Sequence, residues 1–248
     1  MEFGMEEYKK IADMIKEKNY IVAFTGAGIS VDAGVPAFRG GQGLWEKYDP
    51  MEYAQISAFM RHPEKVWVML RDMASVLFAS APSPAHNALA SLEKLGYLKA
   101  VITQNVDGLH QEAGNTNVIE YHGNHRWLVC MDCQKRLPFT PESTAVHPYP
   151  RCEKCGKALK PDVVFFGEGI PPAERMRANN EADRCKVMFI IGTSGVVYPA
   201  ADIPYQAKSR GAVIIEINVE RTPFTSSITD YFLKGTASDI LPRVLQLL

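Results

Sequence analysis

Two C-x-x-C pairs, Cys130/Cys133 and Cys152/Cys155, are separated by 18 residues. At this spacing four thiolates can close around one structural zinc ion. A single C-x-x-C could be a redox motif; two at this separation favour metal, and a reducing compartment keeps the thiols available. His122, in Glu120-Tyr121-His122-Gly123-Asn124, carries an imidazole that titrates near neutral pH and suits general-base work. From residue types alone it could instead be a metal ligand, although four cysteines already complete a tetrahedron, or a structural histidine. Thr103-Gln104-Asn105-Val106-Asp107 offers amide donors and acceptors and one carboxylate. An ordinary Asn/Asp turn would give the same composition.

A third group of residues could hold a nucleotide. Gly26-Ala27-Gly28-Ile29-Ser30 follows the apolar run Tyr20-Ile21-Val22-Ala23-Phe24. Small residues after a buried strand allow a tight turn whose free N–H groups can face a phosphate. The dehydrogenase fingerprint G-x-G-x-x-G fails, because its third glycine position is Val31. The chain then runs through Gly34-Val35-Pro36-Ala37-Phe38-Arg39-Gly40, too rich in Gly and Pro for the usual helix. Gly192-Thr193-Ser194-Gly195 and Ile217-Asn218-Val219-Glu220 also end apolar runs and suit phosphate or ribose contacts. Each signal is weak alone. Together they place polar groups along one edge of one sheet, where a doubly wound fold binds its ligand.

The elements that must position these groups alternate along the chain. The spacing predicts strands over 20–24, 100–103, 118–121, 187–192 and 212–217, and helices over 5–18, 85–95, 173–182, 200–209 and 239–247. This is the pattern of an α/β protein with a Rossmann-like doubly wound parallel sheet. Two stretches fall outside the alternation: 35–81, with the Gly/Pro loop and a helical segment, and 125–160, with both cysteine pairs. The expected domain organisation is therefore a nucleotide-binding domain of residues 1–34, 82–124 and 161–248. It carries a cofactor loop and helical insertion (35–81) and a zinc-ribbon insertion (125–160), which together make a small domain. The zinc insertion has seven Lys/Arg against three Asp/Glu, a balance that four thiolates around Zn²⁺ reduce by two charges. A nucleic-acid-binding ribbon would be more basic and carry stacking aromatics; here zinc reads as the staple of a module without its own core.

The chain has 248 residues, 46% hydrophobic and 22% charged, with net charge −1. This balance gives no general attraction to nucleic acid or anionic membrane. The acidic N-terminus lacks the order of a signal peptide, and no apolar run reaches the ~18 residues of a membrane span. The expectation is a cytoplasmic monomer with no membrane or nucleic-acid partner. Cys185, before an apolar run, reads as a packed thiol.

Taken in order, the glycine turn, Pro36-Ala37-Phe38-Arg39-Gly40, Thr103–Asp107, His122-Gly123, the two cysteine pairs, Val163-Val164-Phe165-Phe166-Gly167-Glu168, Gly192-Thr193-Ser194 and Ile217-Asn218 resemble the sirtuins, the NAD-dependent protein deacylases, over about residues 8–245. The resemblance implies that NAD, consumed as co-substrate, and an acetyl-lysine protein or peptide meet in a cleft between the two domains. It implies that Gly26, Ala27, Gly28, Ile29 and Arg39 line the cofactor loop and that Phe38 shields the site nicotinamide leaves. Gln104 would bind the adjoining ribose, and Asn105, also counted as catalytic, would shape the nicotinamide pocket with Asp107. His122 would be the general base. Gly192, Thr193, Ser194, Asn218, Asp239 and Ile240 would hold phosphate, adenosine ribose and adenine. Val163, Val164, Phe165 and Phe166 would pair with the substrate backbone, with Gly167 and Glu168 closing that wall. Cys130, Cys133, Cys152 and Cys155 would hold one structural Zn²⁺.

The implied reaction releases nicotinamide, lets the acyl oxygen attack the ribose, and passes the acyl group to ADP-ribose after His122 deprotonates a ribose hydroxyl. Two departures stand out. Position 37 is Ala, where many sirtuins carry Asp or Thr. Leu70 and Met73 occupy the places where the succinyl-removing branch has Tyr and Arg, so neutral acyl groups are expected to be preferred. A zinc-containing oxidoreductase and a non-catalytic nucleotide reader are weaker readings; an NAD-dependent protein ADP-ribosyltransferase shares the first half-reaction and is the main alternative.

Overall fold

The computed structural model describes residues 4–37 and 43–248. Among the described residues nine strands occur in chain order: β1 (Ile21–Thr25), β2 (Leu98–Thr103), β3 (Val118–Glu120), β4 (Gly123–Cys130), β5 (Arg136–Pro138), β6 (Leu159–Val163), β7 (Val187–Ile191), β8 (Val213–Asn218) and β9 (Tyr231–Lys234). Six of them form one sheet in the order β3-β2-β1-β7-β8-β9, every adjacent pair parallel. The chain leaves β1 towards β2 on one side and reaches β7 on the other. The strand order therefore reverses beside β1, and a crevice opens at the carboxyl ends there.

Both faces of this sheet are covered, so its central strands β1 and β7 are near-continuous apolar runs. In β1, Ile21 and Ala23 join one buried cluster while Val22 and Phe24 join the other. Residues of β7 divide the same way, with Val187, Phe189 and Ile191 against Met188 and Ile190. The helix Met5–Lys18 lays Tyr8, Ile11, Ala12 and Ile15 on the first face. It stops at Asn19, whose left-handed φ of 46° lets its N–H return to the Ile15 carbonyl at 3.0 Å. Cys185 is buried in the second cluster, and burial pushes its thiol up to about 12; this fits a packed thiol rather than a nucleophile.

The two insertions share a third core. Helix Pro63–Ala79 contributes Val66, Trp67, Met69, Leu70 and Ala74, and the cysteine-bearing segment adds Leu128, Phe139 and Leu159. Trp67 donates its indole N–H to the Leu159 carbonyl at 3.0 Å and meets Phe139 edge-on. Arg71 donates to the carbonyls of Thr144, Val146 and Pro148. The second sheet, β5-β4-β6, is antiparallel. It and β9 are additions to the elements expected from the sequence. Among the described residues no helix is long and apolar enough to cross a membrane.

Candidate active site

The glycine turn after β1 crosses the end of β7 at backbone contact. Gly26 N–H donates to the Ile191 carbonyl (2.9 Å) and Gly28 N–H to the Gly192 carbonyl (2.8 Å). A Cβ on Gly28 would stand 2.6 Å from Gly192 Cα, and one on Gly26 2.7 Å from Thr193 Cβ. This corrects the expectation that the amides of Gly26 and Gly28 are free for a phosphate: both are used to pack two strand ends together. Within 26–30 and 192–195, the amides of Ala27, Thr193 and Ser194 are the ones without an acceptor among the described residues. In place of a long helix the chain continues in two 3₁₀ turns, Ala27–Ile29 and Val31–Ala33.

Beside this crossing, a cleft of about 590 Å³ runs between the sheet and the small domain, within the size range of small-molecule sites. Its lining includes Gly26, Ala27, Gly28, Gln104, Asn105, His122, Gly192, Thr193, Ser194 and Asn218. His122 is half-buried, and its Nδ1 lies 3.1 Å from the Gln104 carbonyl oxygen. A carbonyl only accepts, so Nδ1 carries the proton and Nε2 keeps the ring's lone pair. Burial lowers the His122 pKa from the ordinary imidazole value, against the pull of that carbonyl. The ring is therefore a neutral proton acceptor at pH 7.

Asn105 is buried and fixed by donating to the Gly26 carbonyl and the Ser30 hydroxyl, both at 3.1 Å. Ser30 donates in turn to Asp107 at 2.7 Å. Asp107 faces an adjoining cavity of about 380 Å³, which shares Ala27, Asn105, Val106 and Met73 with the main cleft. Behind these groups lie two buried imidazoles, His86 and His110, with ring centres 4.8 Å apart. Burial lowers His86 to about 4, with Asp107 opposing, and holds His110 well below its ordinary value.

The opposite wall is apolar. Val163, Val164, Phe165, Phe166, Gly167 and Glu168 line it, together with Met69, Leu70 and Met73. Arg71 is spent on the carbonyls of the zinc segment, and Asp72 on Lys47 and Tyr48. Three candidate cofactor residues do not reach the cleft. Ile29 and Ile240 are buried in the core of the sheet, and Asp239 is exposed, accepting from Thr236 Oγ1 at the start of helix Ala237–Leu245. Gly235, Thr236 and Ala237 line the cleft in their place. They follow β9, so the polar-strand-end rule that found Gly192 and Asn218 would have found them had β9 been recognised. Val197, Tyr198 and Pro199 are further lining residues with no signal in the sequence. Phe38 and Arg39 lie outside the described residues.

The four paired cysteines converge. Their Sγ atoms lie within 4.8 Å of one another, with separations of 3.4 Å (Cys130–Cys155), 3.5 Å (Cys133–Cys152) and 3.8 Å (Cys133–Cys155). Zn–S bonds of about 2.3 Å in a tetrahedron put sulfurs about 3.8 Å apart. The two turns are built alike. Gln134 (φ 59°) and Gly156 (φ 72°) each follow a pair in left-handed conformation and donate back to the carbonyls of Cys130 and Cys152. The donor set fits zinc, four protein ligands fill it, and His122 belongs to the cleft.

The Sir2 family model matches residues 26–199. The chain belongs to the Sir2 family. An NAD-dependent protein deacylase of Pyrococcus furiosus is 46% identical over 242 residues, which cover 96% of each chain. The solved structure of a Sir2 homologue in complex with NAD is 44% identical and superimposes with a TM-score of 0.90, covering 96% of this chain and 92% of that one. Sir2Af2 bound to a myristoylated histone peptide is 39% identical with a TM-score of 0.83, covering 98% and 96%.

Proposed function

We propose that the chain is an NAD-dependent protein deacylase that transfers the acyl group of a lysine side chain to ADP-ribose, releasing nicotinamide. One observation carries the reading: a neutral imidazole, its tautomer set by the Gln104 carbonyl, faces a cleft between polar strand ends and an apolar wall. The small residues at the strand-end crossing allow a dinucleotide to approach the backbone closely, and the free amides of Ala27, Thr193 and Ser194 suit its phosphates. NAD, when bound, supplies an electrophilic ribose carbon as nicotinamide departs. The chain's own residues do the rest. His122 Nε2 takes a proton from a ribose hydroxyl, help worth ~10²–10⁴-fold. Gln104 meets the ribose, while Asn105, held by Gly26 and Ser30, and Asp107 border the nicotinamide pocket. Gly192 and Asn218 shape the adenosine side.

On the other wall, Val164 N–H is taken by the His122 carbonyl (2.8 Å), while Phe166 exchanges bonds with Ala54 and Ile56. Among the described residues the Val164 carbonyl and the Gly167 amide have no partner. They are among the groups left for an extended acyl-lysine peptide. Met69, Leu70, Met73 and Phe165 would exclude water around the acyl chain. The one cationic side chain among the described cleft residues is Arg221, near Asn218 in the chain. A buried succinyl carboxylate would therefore lack a partner, at a cost of roughly 3–5 kcal/mol, and neutral acyl groups are preferred. We further propose a monomeric, cytoplasmic enzyme without a nucleic-acid partner, with domain boundaries 1–34, 82–124 and 161–248 and insertions 35–81 and 125–160. NAD labelled in its adenine, incubated with an acetyl-lysine peptide, should deliver the label to O-acetyl-ADP-ribose. Label retained on protein would favour ADP-ribosyl transfer, which the names of the relatives do not support.

A further inference from the structure

Lys160 of β6 is 3% exposed at its side chain, a costly place for an ammonium group unless it is fully partnered. Its Nζ donates to the Val163 carbonyl and to Glu168 Oε2 at 2.9 Å, and lies 4.6 Å from the centre of the Phe165 ring. The same Glu168 oxygen accepts the Phe165 N–H at 2.8 Å, and Glu168 N–H returns to the Phe165 carbonyl at 3.0 Å. One buried ion pair thus occupies two backbone groups of segment 163–168, the Val163 carbonyl and the Phe165 amide. The Val164 amide and both polar groups of Phe166 are taken by His122, Ala54 and Ile56. Among the described residues the Val164 carbonyl, both polar backbone groups of Gly167 and the Glu168 carbonyl are left without a partner.

A buried ion pair is weak evidence for stability, since apolar replacements of similar volume are often neutral or stabilising. Its observed use here is conformational. We propose that Lys160 is a positioning residue for the acyl-peptide substrate: through Glu168 and the Val163 carbonyl it sets the backbone of 163–168 so that the Val164 carbonyl and the Gly167 amide stay open for the peptide. This rests on the reading of 163–168 as the peptide-binding strand. Lys160 touches neither the strand-end wall nor the His122 ring, so it acts on the peptide and leaves cofactor binding alone.

The test uses the full chain with zinc bound and two probes, an acetyl-lysine peptide and ADP-ribose. Hydrogen exchange on the wild-type protein should show peptide-dependent protection within 163–168. The double variant Lys160→Met/Glu168→Gln removes both charges together and avoids leaving Glu168 buried alone. It should fold with a Tm near wild type and weaken peptide binding about tenfold, as a backbone displacement of a fraction of an ångström does. ADP-ribose binding should stay within about twofold, while KM for the peptide rises. Lys160→Arg, which keeps the charge and the donors, should recover part of the peptide affinity. Absence of peptide-dependent protection in the wild-type protein would overturn the strand reading and this inference with it. Protection in the wild type with unchanged peptide affinity in the double variant would overturn the inference alone, as would an equal loss of ADP-ribose and peptide binding.

Discussion

The two walls of the cleft are held by different means. On the sheet side, positions are set largely by backbone: Gly26 and Gly28 meet Ile191 and Gly192, and the Gln104 carbonyl holds the His122 ring. On the small-domain side, side chains hold loops that have little regular structure of their own. Arg71 gathers three carbonyls of 144–148, Trp67 takes Leu159, Lys160 and Glu168 shape 163–168, and four cysteines converge on one point. The sheet side is a fixed frame. The opposite wall depends on a few long-range staples, so it should be the easier one to dismantle separately.

Metal removal gives the largest expected break in that comparison. A structural zinc supplies on the order of 10 kcal/mol to a small module, so a strong chelator or Cys152→Ser should unfold the cysteine segment and abolish deacylation. The parallel sheet should survive and still bind ADP-ribose, with far-ultraviolet circular dichroism mostly retained. Simultaneous loss of both walls would show that they are one unit. His122→Ala comes next. Its expected loss is ~10²–10⁴-fold in turnover with an unchanged melting curve. In the unmutated enzyme the acid limb of the rate profile should lie below the ordinary imidazole value, because burial lowers the His122 pKa.

Acid should test the frame through His86 and His110. Both have folded-state pKa values below the unfolded 6.5, His86 at about 4. Between those values the unfolded chain binds protons that the native state refuses, so stability is intact above 6.5 and falls as pH drops through this window. Tm should therefore decline from pH 7.5 to 5, before most carboxylates titrate; a flat Tm would contradict the buried neutral pair. The smallest effect is sought at the crossing. Gly28→Ala places a methyl 2.6 Å from Gly192 Cα and should cost about 1–3 kcal/mol in denaturant unfolding, together with weakened ADP-ribose binding.

Much of the frame is legible in the sequence because its signals are local. Helix Met5–Lys18 keeps its apolar spacing to the last turn, and β1, β2, β3, β7 and β8 are short apolar runs bounded by small or polar residues. The second sheet is not legible in this way. Pro138 lies in β5 and Pro161 in β6, and proline argues against a strand unless it is at an edge. Both strands are edges, which only the pairing with β4 reveals. The glycine turn misleads for a related reason: its spacing marks a close approach, but not that the approaching group is another strand end. Asp239 and Ile240 lie in the right region, yet one starts a helix and the other fills the core. Lys160 has no signature at all, since a lone lysine before a proline reads as surface until its carboxylate partner is placed.

The central claim is that NAD is consumed only where the two walls meet over an acylated lysine. Nicotinamide release is the most direct measure, compared for NAD alone, NAD with an unmodified lysine peptide, and NAD with the same peptide acetylated. The account predicts release with the acetylated peptide and little with the other two, in step with formation of O-acetyl-ADP-ribose. Equal release in all three would contradict it.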